Sequence, residues 1–313
     1  FRRFRRSLEK SSEILLRQPA FLELRNKFTI YASDLHGDSG ATGRLFEYFL
    51  RTLESGKDSQ IVILGDLDEG INMFQVYLLI AELHVLFPGR IFLTMGNHEI
   101  EPKFGFVYSY EKLNKTGDAY GKYAGYIYGE WAQSLPLAVK VGEHTVACHG
   151  FWHHNLDSIE KLNGLEKTKA FENGSSENYM LFSDPFDTFD EDRIFEIRNL
   201  TDEARIYPIT GRLKIGSLLF ANTLRKIFPK VNAYISGHLH SMSSQRQMFK
   251  VGDSDFGIYK TSINGLAKEG PNAGNRIDIQ PNFFCFLVQE NPDSEPNDIY
   301  RVNIDTLETY RYS

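Results

Sequence analysis

Short apolar runs in the first half of the chain alternate with longer segments that are predicted to be helical, and in one of these, RLFEYFLRTL, the apolar positions have helical spacing. The runs FTIYAS, IVIL and RIFLTM predict buried strands, and RLFEYFLRTL and residues 71–87 predict the helices between them. Strands that alternate with helices are typical of an α/β protein, in which the functional site lies at the carboxyl ends of the strands. We therefore expect an α/β fold whose site is built from the residues that follow the strands.

The start of the chain is predicted to be helical. Residues 8–24 have apolar positions at helical spacing, and Pro19 is expected to break this helix. We expect residues 1–25 to form a helical segment that packs on the remainder. No internal repeat or low-complexity linker divides residues 1–313, so the sequence predicts a single domain.

The second half of the chain has fewer predicted helices. The runs LAVKV and TVAC, separated by GEH, predict a β-hairpin. An irregular stretch rich in Asp and Glu is expected over residues 151–208. A helix near residues 214–228, a strand at AYIS and closing strands at YKTSI, FFCFLV and near the carboxyl terminus complete the pattern.

Five of the predicted strands end in a polar motif: DLHGD, GDLDEG, GNHE, HG and GHLH. Each motif alone is a weak signal, because Gly beside a polar residue usually marks a turn and a single His is usually an ordinary surface or core residue. We interpret four histidines in that ordinary way: His84, His144, His153 and His154. The five motifs together are more specific, since they place seven metal-binding side chains directly after apolar runs: Asp34, His36, Asp66, Asn97, His149, His238 and His240.

Carboxylate, amide and imidazole donors in one set suit a divalent metal such as Mn, Fe or Zn. Seven ligands exceed one tetrahedral site, whereas a bridging carboxylate allows two metals to share the set. Asp66 is the natural bridge, because it lies at the tip of a central buried strand. Its neighbours Asp68 and Glu69 would repel it without a cation nearby. Two metals of this kind activate water, so the motifs indicate phosphoester hydrolysis.

Charge, cysteine content and hydropathy limit the classes of partner and the cellular compartment that we expect. The net charge of −6 argues against a nucleic-acid partner, and FRRFRR, the basic cluster at the start, is interpreted as a solvated helical turn. Two cysteines cannot form a disulfide framework in 313 residues, which favours a reducing, cytoplasmic compartment. The apolar stretch MFQVYLLIAELHVLF is interrupted by polar residues, so no membrane span is predicted.

The five motifs, in this order, resemble the signature of the calcineurin-like metallophosphoesterases. More narrowly, the chain resembles the phosphoprotein phosphatase (PPP) family of serine/threonine phosphatases. Further segments have counterparts in the same order in that family: SSEILLRQPAFLEL, LFEYF, LPLAVKVGEHTVACHG, FSDP and NAG. The resemblance spans nearly the whole chain and implies a metallophosphoesterase fold, which is a central mixed β-sandwich flanked by helices with a dinuclear metal site at the strand ends.

The resemblance also implies a role for each metal ligand. Asp34, His36 and Asp66 would hold the first of two divalent metal ions. The second would be held by four residues: Asp66, Asn97, His149 and His238. His240 is typical of the wider metallophosphoesterases and would complete the shell of the first metal.

Catalytic and phosphate-binding roles follow from the same resemblance. His98 would be the general acid for the leaving group, and Asp68 would orient it; an imidazole beside a metal ligand suits this task. Arg212, together with Asn97, is the candidate for binding the substrate phosphate, because it lies at about the family's spacing before His238. Arg193 and Arg205 are the next candidates.

The chain departs from the PPP pattern near the site. GDLDEG is one residue shorter than its counterpart, and Glu69 stands where the family has a phosphate-binding Arg. TSING replaces the closing segment that carries the family's Tyr. After the fourth motif, HG, Phe151 stands where the family has a second glycine, and Trp152 comes next. These two residues have two interpretations: core packing, or the wall of a pocket for an aromatic substrate.

The expected function is a metal-dependent protein phosphatase that acts on phosphoserine and phosphothreonine in a phosphoprotein substrate. Tyrosine phosphatase activity is the alternative, because the missing Arg and altered loops reshape the pocket. A catalytically degenerate binding scaffold is a second alternative, although every ligand is present. A regulatory partner is left open. Divergent bacterial effectors, delivered into a host cell, show comparable departures from the family.

Overall fold

The computed structural model describes residues 2–67, 73–100, 127–185, 204–206, 213–238, 246–263, 285–291 and 299–311. Its strands, in chain order, are β1 (Phe21–Leu24), β2 (Phe28–Ala32), β3 (Ser59–Ile63), β4 (Ile91–Leu93), β5 (Ala138–Val141), β6 (Thr145–Cys148), β7 (Asp184–Pro185), β8 (Ala204–Ile206), β9 (Leu213–Ile215), β10 (Ala233–Ser236), β11 (Arg246–Val251), β12 (Ser254–Lys260), β13 (Cys285–Gln289), β14 (Ile299–Asn303) and β15 (Thr309–Arg311). Its helices are α1 (Arg2–Leu16), α2 (Ser39–Glu54), α3 (Met73–Leu86), α4 (Ile159–Asn163), α5 (Ser176–Phe182) and α6 (Ser217–Ile227), with a 3₁₀ helix at Lys167–Phe171 and further helical residues at 127–133.

Two six-stranded sheets form the centre of the structure. Their orders are β1-β5-β6-β10-β12-β11 and β15-β14-β13-β2-β3-β4, and β7, β9 and β8 form a small third sheet. In the second sheet β2, β3 and β4 are parallel and in register at Ile30, Ile61 and Ile91. In the first sheet β6, β10 and β12 are also parallel. The predicted α/β fold with a central mixed β-sandwich is therefore confirmed.

The two sheets pack face to face through one apolar layer. Tyr31, Val62 and Leu287 from one sheet lie in the same buried cluster as Ile235 and Tyr259 from the other. Every residue of β2 and β3 is buried, which explains why these strands appear in the sequence as continuous apolar runs rather than alternating ones.

Helices cover the outer faces of both sheets. On one side, Phe220 of α6 packs edge-on against Tyr234 of β10, with ring centroids 4.6 Å apart. On the other, Tyr48 of α2 packs against Phe286 of β13 at 4.9 Å. No helix in the described part of the chain has the length and apolar character needed to cross a membrane.

The amino-terminal segment differs from the prediction. Helix α1 ends at Leu16, before Pro19, and residues Phe21–Leu24 form β1, which pairs in parallel with β5. The helix prediction was therefore wrong beyond Leu16, because a four-residue apolar run has no distinguishing period and takes its structure from the neighbouring strand.

Residues 151–185 also differ from the predicted irregular stretch. They contain α4, the 3₁₀ helix and α5. Each α-helix begins at a serine cap: Ser158 accepts a hydrogen bond from the N–H of Lys161, and Ser175 accepts one from the N–H of Asn178. These helices are five and seven residues long, too short for a helical period to stand out in the sequence.

Candidate metal centre

The polar residues that follow five strands meet at one edge of the sandwich. In the second sheet, Asp34 and His36 follow β2, Asp66 follows β3, and Asn97 and His98 follow β4. In the first sheet, His149 follows β6 and His238 follows β10. Backbone hydrogen bonds join the loops: the N–H of Asp34 donates to Gly65 O (3.1 Å) and that of His36 to Asp66 O (3.0 Å). The N–H of Gly237 donates to His149 O (2.9 Å). The parallel strands thus deliver side chains from distant parts of the sequence to one place.

Asp66 lies at the centre of this cluster. Its Oδ1 is 3.3 Å from His149 Nε2, and its Oδ2 is 3.7 Å from both His36 Nε2 and His98 Nε2. His36 Nε2 is in turn 3.8 Å from Asp34 Oδ1. Two overlapping groups have donor atoms within 4.8 Å of one another, and both contain Asp66: His36–Asp66–His98 and Asp34–Asp66–His149.

Asn97 brings two imidazoles together on the other side of Asp66. Its Oδ1 lies 2.9 Å from His149 Nε2 and 2.8 Å from His238 Nδ1. His149 Nδ1 contacts the backbone oxygen of Leu64 at 2.7 Å, which orients the ring so that Nε2 faces the cluster. Asn97, His149 and His238 therefore form a second group, which His149 joins to Asp66 Oδ1.

Four residues of the cluster have left-handed backbone conformations. The φ angles are 56° for Asp34, 38° for His36, 56° for Asp66 and 68° for His238. Such conformations cost non-glycine residues on the order of 1–3 kcal/mol each and persist where the surroundings enforce them. Their concentration at the strand ends indicates that the fold holds these side chains in place at the expense of local backbone energy.

Two glycines allow the loops to approach each other. A Cβ atom on Gly96 would lie 2.3 Å from Asp66 Oδ1, and one on Gly237 would lie 1.8 Å from Ser33 Oγ and 2.9 Å from Asp34 Oδ2. No real side chain tolerates these distances. The glycines of the GNHE and GHLH motifs are therefore explained by crowding around the carboxylates.

The electrostatics of the cluster favour a cation. Burial alone would raise the pKa of Asp66, but His149, His98 and His36 together hold it well below its ordinary value. Burial lowers the pKa of His149, yet the adjacent carboxylates outweigh this effect and raise it to about 9. A divalent cation would offset the same negative charges that raise the pKa of His149.

Glu99, the last residue of GNHE, carries a structural role that the sequence did not reveal. Its side chain is buried, and its Oε2 accepts hydrogen bonds from the N–H groups of Asp66 (3.0 Å) and Gly96 (2.6 Å). Its Oε1 accepts one from the N–H of Leu67 (2.9 Å). Glu99 thus ties the loop after β3 to the loop after β4 and holds the backbone of Asp66. The signal available in the sequence was an acidic residue directly after two predicted site residues, Asn97 and His98.

We expect Glu99→Gln to weaken metal binding. A glutamine presents one oxygen and an NH₂ group, so at least one of the three backbone donors would lose its acceptor and face another donor. An unsatisfied buried group costs about 1–3 kcal/mol, and loss of a residue that positions a ligand typically costs about 10–100-fold in metal affinity. Metal affinity measured by competition with a chelator, together with the melting temperature, would test this.

Glu177→Gln is the matched control. Glu177 is also buried and accepts a backbone hydrogen bond, from the N–H of Glu166 (3.2 Å), but it belongs to α5. Its substitution should leave metal affinity unchanged. If Glu99→Gln lowers only the melting temperature, Glu99 supports the fold and does not position Asp66.

Five of the predicted site residues lie outside the described part of the chain: Asp68, Glu69, Arg193, Arg212 and His240. The backbone of Arg205 is part of β8, opposite Lys214 of β9, and its side chain is likewise outside the described part.

Phe151 and Trp152 are core residues. Both are fully buried; Phe151 packs against Phe220 and Tyr234, and the indole N–H of Trp152 donates to Leu156 O (2.9 Å). The core-packing interpretation therefore holds, and the structure gives no support to an aromatic pocket wall.

Four histidines were interpreted as ordinary residues: His84, His144, His153 and His154. Among the described residues, none of them belongs to the groups of convergent metal-binding atoms. His84 Nδ1 is 2.8 Å from Ser11 Oγ, and His144 Nδ1 is 2.8 Å from the backbone oxygen of Lys230.

The cluster has the properties of a metal site. Asp66 Oδ2 is buried and accepts no hydrogen bond from the residues that the structure describes, although it faces two imidazoles. The donor set combines carboxylate, amide and imidazole groups, which suits Mn, Fe or Zn. The side chains present therefore fit a divalent metal, and the shared position of Asp66 fits a pair.

The chain is similar to known phosphoesterases in sequence and in structure. The sequence model of the family described as calcineurin-like phosphoesterase matches residues 29–242. The structure is similar to that of a protein serine/threonine phosphatase from Saccharomyces cerevisiae with similarity to human phosphatase PP5, with a TM-score of 0.69 and 16% sequence identity over 99% of this chain and 89% of that chain. A metallophosphoesterase from Sphaerobacter thermophilus matches with a TM-score of 0.38 and 12% identity over 92% of this chain and 88% of that chain.

Proposed function

Since the chain belongs to the calcineurin-like phosphoesterase family, we propose that it is a metal-dependent protein phosphatase that hydrolyses phosphoserine and phosphothreonine monoesters. The observation that carries the proposal is the convergence of imidazole and carboxylate groups around the two oxygens of Asp66, with the amide oxygen of Asn97 in contact with His149. Such an arrangement is suited to binding two cations beside a phosphoryl group.

The proposed metal ligands divide into two sets that share Asp66. Asp34 and His36 would complete one set with His240, and three residues would complete the other: Asn97, His149 and His238. When bound, two divalent ions would lower the pKa of the attacking water and offset the negative charge of the phosphoryl group. The chain's own contribution is to hold the ligands close together in a buried site, where electrostatic interactions are strong.

His98 is the proposed general acid. Its Nε2 faces the cluster, 3.7 Å from Asp66 Oδ2, and its ring packs edge-on against His36 with centroids 4.7 Å apart. In the proposed reaction, Nε2 donates its proton to the serine or threonine oxygen as the P–O bond breaks, which releases the alcohol. Asp68 would orient the ring through Nδ1, while Arg212 and Asn97 would bind the phosphate.

Two similarities support the proposal of a protein substrate. The similar yeast structure is that of a serine/threonine phosphatase, and segments outside the site have counterparts in the PPP family. Glu69 at the position of the family's phosphate-binding Arg is the feature that favours the alternative, a phosphotyrosine substrate.

Three peptides that differ only in phosphoserine, phosphothreonine or phosphotyrosine would test the substrate class. We expect kcat/KM for the first two to exceed that for phosphotyrosine by about tenfold or more. Hydrolysis of p-nitrophenyl phosphate shows that the preparation is active, and Asp66→Asn serves as the control for a contaminating phosphatase.

Other outcomes of the peptide experiment have defined meanings. A preference for phosphotyrosine would replace the proposed substrate class with the alternative. Bound metal without turnover of any peptide or of the aryl phosphate would identify a binding scaffold and contradict the proposal.

A further inference from the structure

The basic cluster FRRFRR lies on a helix whose apolar face is already occupied. Phe4, Leu8 and Leu15 of α1 are buried, and Phe4 packs edge-on against Phe74 of α3 with centroids 5.7 Å apart. An amphipathic helix that inserts into a membrane surface needs its apolar face free. The arginines of α1 are therefore presented to solvent by a helix that is anchored to the protein through its other face.

Three cations form a stripe along the exposed side of α1. Arg2, Arg6 and Lys10 are spaced four residues apart, so they follow one another along one helix face. All three are exposed, and none forms an ion pair with another residue in the described part of the chain. Arg3 differs, because Glu82 accepts two hydrogen bonds from its guanidinium at 2.5 and 2.6 Å.

The cationic stripe forms one wall of an open groove with a volume of about 700 Å³. The opposite wall is the carboxyl-terminal end of α3 and the turn after it, where Val85, Leu86 and Pro88 line the groove. Leu86, the last residue of α3, is 67% exposed, so its side chain is available to a partner. The ion pair between Arg3 and Glu82 also lines the groove, and the charges of these two residues offset each other. The groove therefore combines an apolar patch on one wall with three cations, unpaired among the described residues, on the other.

We propose that this groove docks an acidic segment of a partner protein. The segment would place an aliphatic or aromatic side chain against Leu86 and Val85 and carboxylates against Arg2, Arg6 and Lys10. Charge complementarity identifies the occupant: three uncompensated cations lie in one groove of a chain whose net charge is −6.

The apolar wall distinguishes a protein segment from other anionic partners. A nucleic acid backbone offers no aliphatic group to cover Leu86, and nucleic-acid surfaces are usually broader and more strongly basic. A concave groove next to an anchored helix also suits an extended or helical peptide better than a flat lipid surface.

Fluorescence anisotropy with a labelled peptide tests the proposal. The probe is a twelve-residue peptide in which Asp and Glu flank a central Leu-Phe pair. Binding is measured at low salt, because salt screens the attraction between exposed charges. One comparison peptide replaces Leu-Phe with Ser-Ser, and another replaces every acid with Lys. We expect the first probe to bind, the Ser-Ser peptide to bind about tenfold or more weakly, and the Lys peptide not to bind.

Variants of the protein assign the binding to the groove. The triple variant Arg2→Glu/Arg6→Glu/Lys10→Glu, and separately Leu86→Ser, should each weaken binding of the probe about tenfold or more. The matched control Arg17→Glu/Arg25→Glu/Lys226→Glu makes the same charge change at exposed cations outside the groove and should bind as the unaltered protein does. Circular dichroism and turnover of p-nitrophenyl phosphate, unchanged in every variant, would show that the fold is intact.

Three results would overturn the proposal. The probe could bind the triple variant or Leu86→Ser as tightly as the unaltered protein, which would place its site elsewhere. The Ser-Ser peptide could bind equally well, which would remove the role of the apolar wall. The probe could fail to bind while vesicles containing phosphatidylserine bind through the same cations, which would identify a lipid surface.

Discussion

Asp66→Asn is expected to remove both metals and to abolish turnover. The two oxygens of Asp66 face different imidazoles, with Oδ1 3.3 Å from His149 Nε2 and Oδ2 3.7 Å from His36 Nε2. An asparagine has the same shape but only one oxygen and no negative charge, so it cannot bridge two cations. Metal ions supply several kcal/mol of transition-state stabilisation, and the loss should reduce kcat by roughly 10³-fold or more.

The measurement is metal content by mass spectrometry after gel filtration, together with turnover of p-nitrophenyl phosphate. The unaltered protein should carry close to two metals per chain and lose activity on chelation. Asp38→Asn is the matched control, because Asp38 is also a buried acid in a loop after a strand, here β2, but it caps α2 by accepting a hydrogen bond from the N–H of Ala41 (2.8 Å). Asparagine caps helices as well as aspartate, so this variant should keep its metals and activity.

The proposed metal site would be wrong under either of two results. One is full activity of the unaltered protein in a chelated, metal-free sample. The other is an Asp66→Asn variant that retains two metals and normal turnover.

His98→Ala is expected to separate substrates by their leaving groups. If His98 Nε2 donates the proton, kcat for a phosphoserine peptide should fall by roughly 10²–10⁴-fold. The loss should be much smaller for p-nitrophenyl phosphate, because nitrophenolate leaves without a proton. His144→Ala, at an ordinary histidine next to the backbone of Lys230, should behave like the unaltered protein on both substrates.

Metal content decides between two roles for His98. Its donor atom lies within 4.8 Å of those of His36 and Asp66, so the geometry also accommodates a metal ligand. As a general acid, His98 can be removed with little change in metal content. Loss of a metal in His98→Ala, with equal losses of kcat on both substrates, would make it a ligand.

Much of the fold was predictable because its signals are local. The apolar runs of β2 and β3 are buried on both faces, so a continuous apolar stretch identifies each of them. Helix α2 is long enough for its helical spacing to be evident, and α3 is a long apolar run that ends before Pro88 and Gly89. Shorter elements such as β1, α4 and α5 were missed, because four to seven residues contain too little periodicity to outweigh tertiary contacts.

The sequence by itself also determined which side chains meet at the strand ends. Asp34, Asp66, Asn97, His149 and His238 each follow an apolar run, and parallel strands bring their carboxyl ends to one edge. The order of the motifs and the rules of sheet topology are sufficient to bring these residues together, without any distance between their atoms.

Only the tertiary structure decided which atoms face each other, because those contacts join residues far apart in the sequence. The three hydrogen bonds to Glu99 depend on how the loop after β3 lies against the loop after β4, and no local pattern in GNHE contains this information. The groove beside α1 likewise exists because Phe4 packs on Phe74 and brings Arg6 near Leu86. In the sequence those residues are a basic run and the end of an apolar helix; packing turns them into one surface.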